Sequence, residues 1–147
     1  MQYEPIKRSL GKYSNRSPFL RKALFVILDL LLLRTWHVKK ALKNLSRDLP
    51  EDASVLDAGS GFGQYTWRMS RRNRKWKIKA VDLNEEHVND CNNFFSQNYR
   101  TGNVTFIAQD LTNLNDTDAY NLILSVDVME HITEDEKVFL AFSRSLK

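Results

Sequence analysis

Residues 55–63 read Val-Leu-Asp-Ala-Gly-Ser-Gly-Phe-Gly, and this run constrains the fold more than any other part of the chain. Val55, Leu56 and Ala58 make a short apolar strand that runs directly into glycines at 59, 61 and 63. Glycines there admit backbone angles that a β-carbon resists. They also let a ligand approach the main chain closely, against the free amides of a helix start.

The surrounding pattern repeats the alternation. Strands are predicted at 54–58, 77–83, 104–108 and 122–126, and helices from Phe62 or Gln64 to about Arg72 and from Asn84 to about Tyr99. Asn84 is a good N-cap, with Glu85 and Glu86 in the first turn, where carboxylates suit the helix dipole. Thr133-Glu134-Asp135-Glu136 reads as a capping box that opens a last helix running to the end of the chain. Strand–helix alternation at this spacing implies right-handed crossovers and a mostly parallel sheet with helices on both faces.

Ahead of this domain, expected over residues 50–147, come a polar arm (1–18) and a helical region (19–49). The arm and helical region are basic. Residues 1–50 carry 11 Lys/Arg against 3 Asp/Glu, a net +8, whereas 51–147 carry a net −4, giving +4 for the chain. A basic segment on a mildly acidic domain suggests an anionic partner, with a solvated basic face as the plain alternative. The apolar run Ala23–Leu33 is shorter than the roughly 20 residues of a membrane span, and Asp29 interrupts it. The N-terminus lacks the apolar core of a signal peptide. The single cysteine, Cys91, forms no internal disulfide and falls short of a zinc ligand set, so no metal is expected. A reducing, cytoplasmic setting fits.

The glycine run fits two kinds of nucleotide ligand. A dinucleotide site wants Gly-x-Gly-x-x-Gly, which counted from Gly59 places the third glycine at 64; that residue is Gln64, and the third glycine is Gly63. Asp57 would repel a pyrophosphate and favour the ammonium of a methionine moiety. Charge sign therefore points to S-adenosylmethionine. Asp82, ending the second strand, suits ribose hydroxyls. Asp110 and the backbone beside it, after the third strand, suit the adenine edge. Ser125 to Ile132 leave the fourth strand, and the first and fourth strands would flank the point where strand order reverses.

Asp57 to Gly63, then Val81-Asp82-Leu83, Gln109-Asp110-Leu111 and Ser125 to Ile132, resemble in order and spacing the cofactor motifs of class I S-adenosylmethionine-dependent methyltransferases, nearest to the group with the ubiquinone and menaquinone enzymes. The resemblance covers about residues 50–147. It implies a Rossmann-like α/β sheet of seven strands in the order 3-2-1-4-5-7-6, of which four are legible here. It assigns the methionine end of the cofactor to Asp57, Gly59, Ser60, Gly61, Gly63 and Gln64, with Ser125 near its amine. It assigns the ribose to Asp82 and the adenine to Leu83, Asp110 and Leu111.

Methyl transfer is an in-line displacement in which the protein positions the acceptor and removes a proton where one must leave. Glu130 and His131 are candidates for that role, although both read more readily as structural residues lining the pocket. His37 and His87 look like ordinary helix residues, and Cys91 like core.

The fourth strand lacks the Asn/Asp-Pro-Pro-aromatic run of nucleobase amino methylases, which argues against an adenine- or cytosine-amino acceptor, and nucleic acid is not the expected partner. Arg68, Arg71, Arg72, Arg74, Lys75, Lys77 and Lys79 would suit phosphates, but read better as a solvated face. The resemblance implies that helices before the first strand cover the acceptor pocket, so Leu24, Ile27, Leu28 and Leu31 either line the site of a small, apolar or lipid-like acceptor or pack on the domain. The flanking Arg21, Lys22, Arg34, Lys39 and Lys40 suit peripheral contact with a membrane. The family usually continues past Lys147 into a fifth strand, so the chain is expected to be a fragment. A non-catalytic cofactor-binding module is the alternative to an active enzyme.

Overall fold

The computed structural model describes residues 18–31, 33–98 and 103–147. Its backbone divides into two units, residues 1–49 and 50–147.

The first unit contains α1 (Pro18–Leu31) and α2 (Leu33–Leu45). Pro18 opens α1 rather than closing the polar arm, because a proline lacks only an N–H that the first helical turn would leave unsatisfied. The rest of the arm lies outside the described residues, as does residue 32 within the predicted helix.

The second unit is an α/β sandwich around a four-stranded sheet. Its elements are β1 (Ser54–Ala58), α3 (Gln64–Arg72), β2 (Lys77–Asp82), α4 (Glu85–Asn98), β3 (Val104–Ala108), β4 (Leu122–Ser125) and α5 (Asp135–Ser145), with 3-10 turns at Leu111–Asn113 and Met129–His131. All pairings are parallel and the strand order is β3-β2-β1-β4. The predicted strands each hold, but Leu83 and Val126 fall just outside β2 and β4.

β1 lies between β2 and β4, with Val55, Leu56, Asp57 and Ala58 all buried, as expected for a strand covered on both faces. Alternation along the strand sends Leu56 and Ala58 to one face. There they join a core with Val81, Leu111, Leu114 and Tyr120, closed by Val138 and Ala141 of α5. Val55 and Asp57 face the other way, toward the side of α3, and the Thr66 hydroxyl of α3 bonds Asp57.

α4 begins as its sequence predicts. The Asn84 side chain accepts from the amides of Glu86 (2.9 Å) and His87 (3.3 Å), capping the helix. Val88, Cys91, Phe94 and Phe95 recur at helical spacing and are buried, with the Phe95 and Phe106 rings 4.9 Å apart.

The predicted capping box before α5 does not form. The N-cap is Glu134, and it makes no side-chain cap hydrogen bond. The helix starts one residue later than the box requires, so Thr133 is left outside it and Glu136 is one position short of the box. Beyond α5, Leu146 makes a parallel bridge with Tyr120, and the Lys147 amide donates to the Tyr120 carbonyl at 3.0 Å. The last two residues therefore run beside the start of β4 instead of continuing the helix.

Candidate functional site

The order β3-β2-β1-β4 shows that the chain builds outward from β1 to one side and then crosses to the other. The reversal lies between β1 and β4, whose last residues, Ala58 and Ser125, are register partners. Crevices outside the carboxyl ends of strands at such a point are where ligands bind in open α/β sheets. Three loops meet there.

The β1 loop is held against β2. The amides of Gly59 and Ser60 both donate to the Val81 carbonyl, at 2.8 and 2.9 Å. The Gly61 amide donates to Asp82 Oδ2 at 2.7 Å. The glycines serve different ends. At Gly59, φ is +82°, and a Cβ would lie 2.1 Å from the Val128 side chain. At Gly61, φ is +51°, and a Cβ would meet nothing within 4 Å. Gly63 packs against Cys91 and Phe106 and is the N-cap of α3. Close packing of protein on protein explains 59 and 63. Only Gly61 faces open space.

Asp57 does not present its charge at this surface. It is 2% exposed and accepts a hydrogen bond from the Thr66 hydroxyl. Burial pushes its carboxyl up to about 6, against the opposing effect of the Thr66 bonds. Its carboxyl lies at the base of the glycine loop, held by α3 through Thr66.

Asp82 is the electrostatic centre of the edge. Its Oδ2 takes the Gly61 amide and its Oδ1 the Asn84 amide at 2.9 Å. His87 Nδ1 lies 3.8 Å from Oδ1, and the His87 ring packs against Phe62 with centroids 4.5 Å apart and the planes tilted by 49°. Burial works to raise the Asp82 pKa, but His87 and the two amides outweigh it and hold the carboxyl below the usual range. Leu83, next in the chain, is 74% exposed.

From β3, Asp110 is exposed and accepts from the Thr112 amide at 2.8 Å, capping the 3-10 turn; that bond holds its carboxyl low. Leu111 turns its side chain into the core, so what it offers a ligand is backbone. Gln109 is tied back to Asp82 through its amide, 3.0 Å from the Asp82 carbonyl.

From β4, the Ser125 hydroxyl is buried without a hydrogen-bond partner among the described residues, and so is that of Ser60. Asp127 takes a left-handed φ of +56°, and Val128 then fills the space beside Gly59. Glu130 and His131 sit on the following 3-10 turn, both well exposed, with His131 Nε2 3.4 Å from Glu130 Oε1. Gln64, the first residue of α3, is half-buried.

Sequence reasoning gave no role to Thr66 and His87, and named Phe62 and Val128 only within the Asp57–Gly63 and Ser125–Ile132 runs. The particular contacts of Thr66, Phe62 and Val128 carry no local signal, since they arise from tertiary packing. His87 had one: in the first turn of a helix capped by Asn84, it lies beside the strand end that Asp82 terminates. The predicted basic cluster is also thinner than its sequence suggests. Lys79 pairs with Asp116 at 2.8 Å, Lys75 with Glu51 at 2.6 Å, and the Arg71 guanidinium lies over the Trp67 ring.

The glycine loop, the acid ending β2 and the β3 and β4 loops fall within residues 55–147, which match the family described as methyltransferase domain. The chain belongs to that family. Its sheet and helices form the Rossmann-like fold of class I S-adenosylmethionine-dependent methyltransferases. An S-adenosylmethionine-dependent methyltransferase from Aquifex aeolicus is 25% identical, with a TM-score of 0.68 over 89% of this chain and 68% of that one. A putative sarcosine dimethylglycine methyltransferase from Galdieria sulphuraria is 21% identical, with a TM-score of 0.67 over 74% of this chain. PKMT2 from Rickettsia typhi, solved in complex with AdoHcy, is 21% identical, with a TM-score of 0.60 over 66% of this chain. This methyltransferase domain spans 40% of the Galdieria protein and 19% of the Rickettsia one. No curated protein matches it in sequence.

Proposed function

We propose that this methyltransferase domain binds S-adenosylmethionine at the carboxyl edge of β1, β2 and β4 and serves methyl transfer to a small, apolar or lipid-like acceptor. The observation that carries the reading is the pairing of the open Gly61 turn with Asp82, whose carboxylate fixes the Gly61 amide at 2.7 Å.

The residues at this edge fit the cofactor. Two buried hydroxyls without partners among the described residues, Ser60 and Ser125, follow or end the strands at the β1–β4 crevice. A buried polar atom left unpaired costs about 1–3 kcal/mol, so a polar ligand group that bonds them is favoured. The bare Gly61 turn admits a ligand against the main chain, and the exposed Leu83 offers an apolar surface for a flat ring.

When bound, S-adenosylmethionine supplies an electrophilic methyl on a sulfonium. The chain supplies position. Asp82 has lone pairs beyond those its two backbone amides use, and these accept ribose hydroxyls. Leu83 covers the adenine, while Asp110 and the Leu111 backbone read its edge. Ser125, Ser60 and the loop from Gly59 to Gln64 hold the methionine end. Glu130 and His131, exposed on the 3-10 turn after β4, are the candidates to take a proton where the acceptor must lose one. The apolar run Ala23–Leu33, as sequence, is the ground for an apolar acceptor.

Calorimetry with S-adenosylhomocysteine tests the cofactor reading. A tritiated-methyl transfer screen against lipid, quinone, protein and RNA pools tests the acceptor. Label entering only protein or RNA overturns the acceptor proposal, and absence of S-adenosylhomocysteine binding overturns the whole.

A further inference from the structure

α1 shows its apolar side outward. At about 100° per residue, Phe19, Leu20, Ala23, Val26 and Ile27 fall within an arc of roughly 120°. Phe19 is 76% exposed, and Leu20, Val26 and Ile27 are each about half exposed, while Arg21 and Phe25, opposite them on the helix, are buried. A surface helix of a water-soluble protein normally does the reverse.

α2 carries a second sign. Trp36 is 58% exposed, and by helical spacing it shares a face with Lys40 and Lys43. An outward tryptophan among lysines is the composition of a membrane–water interface, where the indole sits at headgroup level and the ammonium groups meet lipid phosphates.

We propose that α1 and α2 dock this protein on an anionic lipid surface. α1 would lie in the interface plane with its apolar side toward the acyl chains. Residues 1–50, which contain both helices, carry a net +8. That charge favours an anionic bilayer over a second copy of the chain, whose equally basic segment would be repelled. No helix among the described residues is long and apolar enough to cross a membrane, so contact is peripheral. The inference stands apart from the cofactor reading, since none of these residues belongs to the carboxyl edge of the sheet.

The test is co-sedimentation of the full chain with vesicles of phosphatidylcholine alone and of equal parts phosphatidylcholine and phosphatidylglycerol. The chain pellets with the anionic vesicles in low salt, and high salt reduces this binding. Phe19→Glu/Val26→Glu, both at exposed positions, lowers the bound fraction roughly tenfold, and Lys40→Glu lowers it less. Circular dichroism and S-adenosylhomocysteine calorimetry report unchanged folding and cofactor binding in these variants. Absence of binding to anionic vesicles in low salt overturns the proposal, as does equal binding by the double variant. Self-association of the wild type that the double variant abolishes, without vesicle binding, assigns the face to a second copy instead.

Discussion

Val128 stands where a side chain at Gly59 would have to go. A Cβ built on Gly59 lies 2.1 Å from the Val128 Cγ2, and the Gly59 φ of +82° disfavours any L side chain. The first glycine of the loop therefore joins β1 to the β4 loop. Gly59→Ala should destabilise the domain by about 2–4 kcal/mol through overpacking and left-handed strain, read as a lowered urea midpoint. Because one clash is shared, Gly59→Ala/Val128→Ala should be less destabilised than the two single effects added. Strict additivity would show that the contact is unimportant.

Gly61→Ala should separate from Gly59→Ala. Among the described residues, no atom beyond the chain neighbours lies within 4 Å of the added methyl, leaving only the cost of φ +51°, about 1 kcal/mol. The methyl does occupy space that the proposed ligand needs against the backbone. S-adenosylhomocysteine affinity should fall roughly tenfold or more, with a small change in the unfolding midpoint. Unchanged affinity would move the ligand away from this loop.

Asp82 organises the edge through bonds to the Gly61 and Asn84 amides. Asp82→Ala should lose S-adenosylhomocysteine binding by more than tenfold, because the proposed ribose contact and the loop order go together. The folded carboxyl is held below its ordinary 3.8. The folded state thus binds this proton less readily than the unfolded chain. The stability it gives is present above 3.8 and is lost as pH falls through the folded value. Comparing the acid arms of wild-type and Asp82→Ala denaturation checks the sign.

The domain's topology was legible because each strand and helix is signalled locally: the apolar 55–58 run, the Asn84 cap, and the acids at 82 and 110 that end or follow strands. What was not legible depended on contacts between distant segments. The Asp57 charge looked available to a ligand, yet alternation along β1 turns it toward α3, where Thr66 takes it. The Thr133 capping box had the right letters, but the helix start shifted by one residue and left Glu134 as N-cap. Nothing in the spacing of residues 59, 61 and 63 could tell that only the middle glycine faces open space.

Asp57 gives the opposite pH behaviour to Asp82. Its folded carboxyl is raised from 3.8 to about 6 by burial. The folded state then holds the proton more tightly than the unfolded chain, so this stabilisation is complete below 3.8 and is lost as pH rises through about 6. Asp57→Asn keeps an acceptor for Thr66 but removes the charge. It should flatten the decline in stability between those pH values and gain on the order of 2 kcal/mol at neutral pH. Urea midpoints measured across that range decide it; a parallel pH dependence in wild type and variant would place the titration elsewhere.

Ser125 offers the sharpest division between fold and function. Its hydroxyl is buried at the end of β4 without a hydrogen-bond partner among the described residues, beside Ala58 in register. In the protein alone such a group is a cost, since it gave up water for nothing. Ser125→Ala should therefore be neutral or raise stability by up to about 1 kcal/mol. The same hydroxyl is proposed to meet the methionine end of the cofactor, so the variant should bind S-adenosylhomocysteine several-fold more weakly. A core serine kept only for packing would leave affinity untouched. A hydroxyl bonded within the protein would lose stability on removal. Only a ligand-directed group gives a stability that holds or rises while affinity falls, and paired thermal-shift and calorimetric measurements on one variant distinguish the three.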